Sequence, residues 1–243
     1  MIRRFVALLT LAALFGAPAA QAQTCTDHAL FRKGTVLTVS HFNAKGKELG
    51  QQTSITESTA PIDGGVRAEI RTTSTMKGAP KDEVRFTSTC SGDTITVDMR
   101  TFMGAQPTQG YEGWEISFEG SDLAYPVSMS AGQTLPDTMM TMVMKMPGAE
   151  GAPPGLPTTT RFEVEVTNRK VVGQESVTTA AGTFDAWKVT FDVNFEMKGM
   201  LSVKNQSSQV EWYVPGIGTV KSETWRKGKL EGRTELAALQ KGA

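Results

Sequence analysis

The chain is poor in the side chains on which enzymes most depend. It carries two histidines, two cysteines and aromatic residues at 7% of its 243 positions. Its 25 basic and 25 acidic side chains cancel to a formal net charge of zero and are interspersed. No basic face is set up for DNA, RNA or an anionic membrane, which argues against nucleic acid as a partner. Neither His28 nor His41 belongs to an H-E-x-x-H sequence, and G-x-S-x-G, the P-loop and the dinucleotide fingerprint are all missing. His41, beside a turn, reads as a surface histidine. Helical periodicity is scarce, with room for a short helix at most between Tyr125 and Leu135. Beyond the first 22 residues no run is apolar enough for a membrane helix.

What is present begins with an export signal. Met1 to Arg4 is basic, Phe5 to Phe15 is apolar, and Ala20-Gln21-Ala22 is a small-x-small site. Residues 1–22 therefore read as a signal peptide cleaved before Gln23, which predicts a periplasmic or secreted protein. Ala22-Gln23-Thr24 before Cys25 is not a lipoprotein processing site. Residues 23–243 are expected to form one exported β domain, with a flexible Pro/Gly loop near 147–159. In an oxidising compartment an even cysteine count without C-x-x-C predicts one disulfide, Cys25 to Cys90.

Period-2 patterning runs through the rest. Strands are predicted at Thr35 to Phe42, Gln51 to Ser58, Val66 to Thr75, Glu83 to Thr89, Thr94 to Met99, Trp114 to Phe118 and Met139 to Met146. Ser91-Gly92-Asp93 marks a hairpin. The clearest strand places Trp187, Val189, Phe191, Val193 and Phe195 on one face and Lys188, Thr190, Asp192 and Asn194 on the other. Phe162, Val164 and Val166 repeat this pattern opposite Glu163 and Glu165. Ala180 to Phe184 and Val214 to Val220 read as tight turns. Trp187 and Trp212 follow apolar faces; Trp225 shares a face with Lys221 and Glu223 and is half-exposed or at a bulge. About a dozen strands without helices predict an all-β fold, a curved antiparallel sheet forming a β-sandwich or a partly open barrel.

Methionine is the unusual component. Met140, Met142, Met144 and Met146 fall on one face of an alternating segment. Thioethers suit Cu(I), but alternate positions on a strand stand nearly 7 Å apart, too far for neighbours to share an ion on a straight strand. Methionine also fills irregular apolar space and adapts to varied ligands. The stripe is read as core, sheet edge or ligand contact; no metal and no cofactor is predicted.

Two segments carry a family resemblance: N-R-K-V-V-G-Q-E-S-V-T-T-A-A-G-T-F-D-A-W-K-V from Asn168, and W-Y-V-P-G-I-G-T-V-K-S-E from Trp212. They resemble the exported bacterial domain family of unknown function DUF3108 and its TapB-like relatives. Ala180 and Ala186 stand where those relatives carry proline and cysteine. The resemblance implies a curved antiparallel sheet, a sandwich or the half-barrel of lipoprotein carriers, and in the latter case an apolar ligand on the concave side. It supplies no catalytic residue. The expected function is thus non-enzymatic: binding of a hydrophobic small molecule, lipid or lipoprotein acyl chain through Met140, Met142, Met144, Phe162, Val164, Trp187, Val189 and Phe191. The alternatives are a module that docks another envelope protein and, third, a methionine-based soft-metal protein.

Overall fold

The computed structural model describes residues 25–78, 82–100, 114–147, 158–199 and 202–242. The expected signal peptide and most of the Pro/Gly loop lie outside these. Among the described residues thirteen strands form a single sheet. They are β1 (Val36–Asn43), β2 (Glu48–Ile62), β3 (Gly65–Met76), β4 (Asp82–Ser91), β5 (Thr94–Val97), β6 (Glu115–Gly120), β7 (Leu123–Pro126), β8 (Thr138–Lys145), β9 (Thr159–Thr179), β10 (Gly182–Lys198), β11 (Val203–Val214), β12 (Gly218–Arg226) and β13 (Lys229–Gln240). The spatial order is β6-β8-β9-β10-β11-β12-β13-β1-β2-β3-β4-β5-β7, and the ladders are antiparallel. Two hairpin meanders, β1 to β5 and β8 to β13, are joined where β13 pairs with β1.

The turns follow local chemistry. Gly92 (φ 60°) and Gly64 (φ 68°) occupy left-handed positions in the two-residue turns of the β4–β5 and β2–β3 hairpins, where a side chain would be strained. Asn43 accepts at Oδ1 from the backbone N–H groups of Lys45 and Lys47, both at 3.0 Å, and closes the β1–β2 turn.

The sheet is strongly curved and does not close into a barrel. Its end strands, β6 and β7, are consecutive in the chain, separated by Ser121 and Asp122 alone, yet no ladder joins them. Curling brings β7 over β9 to β11, where Tyr125 stacks on Tyr213 with ring centroids 5.3 Å apart and planes 2° apart. The segment after β7 continues as a strap along β9: Leu135 N donates to Arg169 O, Val171 N to Gln133 O and Gly132 N to Val171 O. No helix forms between Tyr125 and Leu135, within the sequence reading of a short helix at most; the backbone groups of the strap are engaged by β9 instead.

Three apolar clusters fill this end of the curl. Phe31 from the amino-terminal 3-10 turns packs with Ala68, Ile70, Cys90, Ile95 and Val127. Tyr125, Met129 and Leu135 pack on Val171, Val189 and Tyr213, with Trp187 and Phe191 alongside. Val177, Ala186, Trp212, Val220 and Leu236 form the third, where the β9–β10 tip reaches β13 through Ala181 N to Leu236 O. A side chain as fully enclosed as Val171 or Val189 contributes roughly 1.5–3 kcal/mol. Trp187 and Trp212 thus belong to different clusters. Trp212 is sealed by polar neighbours: Nε1 donates to Glu175 at 2.5 Å, and Lys221 Nζ lies 4.3 Å from the ring centroid. Trp225 stands where the β12–β13 ladder shifts register, opposite the extra residue Glu231 of β13, and is half-buried.

Cys25 and Cys90 are disulfide-bonded, their Cα atoms 5.5 Å apart, so the amino-terminal turns are tied to β4.

Candidate ligand-binding cleft

Register decides which side chains share the concave face. Phe118 on β6 stands opposite Met142 on β8, Met142 opposite Phe162 on β9, and Phe162 opposite Met197 on β10. One level along, Met140 pairs with Val164 and Val164 with Phe195; next come Val166 and Val193. An apolar wall therefore crosses four adjacent strands. Phe162 and Phe195 approach to 6.4 Å between ring centroids. Phe118, Met142, Phe162, Val164, Val193, Phe195 and Met197 are only half-buried, and none belongs to a packed cluster.

The sequence-predicted binding residues divide. Met140, Met142, Met144, Phe162 and Val164 are brought together on this wall, with Met140 and Met144 buried in it at 3% and 5% exposure. Trp187, Val189 and Phe191 continue the same face of β10 but lie under the strap, packed with Tyr125, Leu135 and Tyr213. Alternation places Met144 beside Thr160 and Ile116, not beside another sulfur. Met139 and Met146 are exposed. Among the described residues no three His, Cys, Asp or Glu side chains converge as metal ligands.

From β11 onward the concave face changes character. Phe195 stands opposite Asn205, Val193 opposite Ser207, and Phe191 opposite Gln209. Thr224 lies across from Gln209 and Ser222 across from Thr234, which in turn pairs with His41 on β1. Neighbouring hydroxyls and amides bond laterally: Ser222 to Thr234 at 2.7 Å, Thr224 to Gln209 at 2.9 Å, and Ser54 to Thr72 at 2.7 Å. Asn205, Ser207 and Gln209 are half-buried, whereas Lys204, Gln206 and Ser208 on the outer face are exposed. His41 is not the surface histidine its position by a turn suggested. Its face is set by register against Thr234, and burial lowers its pKa from 6.5, opposed by a hydrogen bond with Gln52.

A buried polar cluster closes the strap end of the cleft. The Arg169 side chain is fully buried and donates from one Nη1 to Ala124 O and Pro136 O, each at 2.9 Å. Its guanidinium carbon lies 4.7 Å from the Tyr125 ring centroid. Tyr125 OH donates to Glu211 Oε2 at 2.8 Å. Burial lifts the pKa values of Glu211, Tyr125 and Tyr213. Local sequence explains the geometry. Asn168 adopts a left-handed φ of 58° at an irregularity of the β9–β10 ladder and is held by Asp192 at 2.9 Å, so the next residue is turned inward. The cluster was missed in the sequence; its signal was a charged residue, Arg169, at the apolar phase of Val171.

The outer rim is open beside β11. The β11–β12 ladder ends at Ser208 and Trp225, so Val203 to Ser207 pair with β10 only. A recess of about 790 Å³ flanks this single-sided stretch, bounded by Lys204, Asn205, Ser207, Trp225, Arg226 and Lys227 among others.

With the cleft defined, the family can be decided. A family model described as DUF3108-like matches residues 32–236. The chain belongs to the DUF3108-like family. Two solved structures share its fold: a Bacteroides fragilis protein described as exported with a YmcC-like fold (22% identity, TM-score 0.63, covering 86% of this chain and 97% of that one), and a Parabacteroides distasonis protein described as a lipoprotein (19%, 0.63, 86% and 96%). No curated protein matches the chain.

Proposed function

We propose that this DUF3108-like protein is a non-enzymatic binding protein of the cell envelope that holds an apolar chain, such as the acyl chain of a lipid or lipoprotein, against the wall formed by β6, β8, β9 and β10. The observation that carries this reading is the continuous ladder of Phe118, Met142, Phe162, Met197, Val164 and Phe195, which stays half-buried outside the three packed clusters. Apolar surface of this kind on the inside of a curved sheet gains stability only when something covers it. Methionine at two of the six positions suits a flexible, variable chain. An envelope location is supported by the basic-apolar-small amino-terminal pattern and by relatives described as an exported protein and a lipoprotein.

Native mass spectrometry of protein purified from its own envelope, together with titration of a fluorescent fatty acid, tests the reading. Binding is expected, and Phe195→Asp and Val164→Asp should each weaken it by at least about tenfold, since a carboxylate in an apolar contact is strongly disfavoured. Unchanged affinity in both folded variants would overturn it.

A second reading, docking of another envelope protein, is favoured by one observation: the single-sided stretch Val203 to Ser207 offers backbone groups that could pair with an added strand.

A further inference from the structure

The cleft has two unlike walls, and the second wall describes the other half of the ligand. We infer that the bound molecule is an amphiphile whose head is uncharged and rich in hydroxyl or amide groups, lying against β11, β12, β13 and β1 while its tail lies on the apolar wall. This rests on the acyl-chain reading above and specifies what that chain is attached to.

On the open stretch of the second wall the concave positions are Asn205, Ser207, Gln209, Ser222, Thr224, Thr234 and His41; further along the same faces stand Glu211 and the packed Val39, Val220 and Leu236. Along that open stretch every one is a neutral hydrogen-bonding side chain, and there the boundary with the apolar wall falls between β10 and β11. A wall of amides and hydroxyls pairs with groups that both donate and accept; it provides no counter-charge for a phosphate, carboxylate or ammonium. Charges stand at its ends: the rim cations Lys204 and Arg226 are already paired, with Glu196 at 3.0 Å and Glu231 at 3.3 Å, and at the strap end Arg169 is held by Ala124 O and Pro136 O. The acid at its inner end, Glu211, is engaged by Tyr125 and by Thr219.

On the open stretch of this wall two buried atoms have no hydrogen-bond partner, Asn205 Oδ1 and His41 Nε2; at the strap end Tyr213 OH and Arg169 Nε and Nη2 are likewise unpartnered. Other hydroxyls on the open stretch satisfy one another laterally, so its two orphans are exceptions that call for a partner from outside the chain. Asn205 is also the residue beside Phe195, at the seam of the two walls. A ligand whose tail covers Phe195 brings its head to Asn205 first.

The test uses the intact mature protein and three ten-carbon probes below their micellar concentrations: decyl maltoside, decanoate and decyltrimethylammonium, titrated by isothermal calorimetry. The maltoside is expected to bind at least about tenfold tighter than either ionic probe. Asn205→Leu and His41→Leu should each remove most of that preference while leaving decanoate binding within about twofold. Urea midpoints of both variants are measured alongside; atoms without partners are expected to contribute little to folding. Equal or tighter binding of an ionic probe, or an undiminished maltoside preference in both variants, overturns the head assignment and leaves the acyl reading standing. Loss of any chain-length dependence across octyl, decyl and dodecyl maltoside overturns the acyl reading, and this inference falls with it.

Discussion

Acidification should unfasten the amino-terminal turns through a single residue. His28 caps the second 3-10 turn: its Nδ1 accepts from Leu30 N at 3.2 Å, while the next backbone N–H, that of Ala29, bonds Gly216 O at 2.8 Å. The ring is 5% exposed and its Nε2 is buried without a partner. Protonation would convert the Nδ1 acceptor into a donor facing another donor, and would place a charge where no carboxylate is available. Burial accordingly lowers the pKa of His28 from 6.5 to about 4. The unfolded chain takes up a proton below pH 6.5 that the folded chain refuses until pH 4, so the contribution is whole above 6.5 and is lost as pH falls toward 4. At 1.36 kcal/mol per unit, the gap is worth roughly 3 kcal/mol in full, and about 2.5 kcal/mol between pH 7.5 and pH 4.5. Urea unfolding of wild type and His28→Asn at those two pH values reads it directly. Asparagine keeps an acceptor for the cap and does not titrate. Wild type should lose about 2.5 kcal/mol more than the variant over this interval. Exposed carboxylates held below their usual range by basic neighbours, such as Glu57 by Arg71 and Glu163 by Arg161, act below pH 4.5 and are common to both proteins. Parallel pH profiles for the two would refute the reasoning.

Two further outcomes are expected. Replacing Arg169 by Met strips Ala124 O and Pro136 O of their donor and leaves Glu211 without a nearby cation, at a cost of about 3–5 kcal/mol; adding Glu211→Leu should restore part of this, which a double-mutant cycle in urea would show. Loss of the Cys25–Cys90 bond, which spans 65 residues of sequence, should cost roughly 4 kcal/mol in the chain-entropy limit, read as the difference in Tm with and without reductant and in the Cys25→Ser/Cys90→Ser variant.

Much of the sheet was legible because one face of many strands is apolar. The alternation from Trp187 to Phe195 marked β10, and the glycines of Ser91-Gly92-Asp93 and Pro215-Gly216-Ile217-Gly218 marked two of its hairpin turns. The polar wall was not legible, for a physical reason: strands such as Thr72-Thr73-Ser74-Thr75 carry hydroxyls on both faces, so alternation tells nothing of which face is enclosed. Arg169 was missed because what holds it comes from distant residues; its carbonyl partners are 45 and 33 positions away in the chain. The same long-range pairing shapes the segment before Leu135, where the sequence left room for a short helix at most and the backbone is engaged by β9. The candidate wall residues were found on three strands, but the sequence could not say that a strap would pack over Trp187, Val189 and Phe191 and spare Phe195.

The pair Ser121-Asp122 gives the sheet the mechanics of a split ring. In a closed barrel, widening the lumen breaks a whole ladder of hydrogen bonds at once. Here the first and last strands are tethered end to end by two residues and share no ladder, so widening at the seam breaks no ladder between them; what resists it is the strap bonded to β9 and the Tyr125–Tyr213 stack. The tether also limits how far it can widen, and it keeps the two unpaired edges close to one another, where they are poorly placed to recruit a strand from a neighbouring molecule.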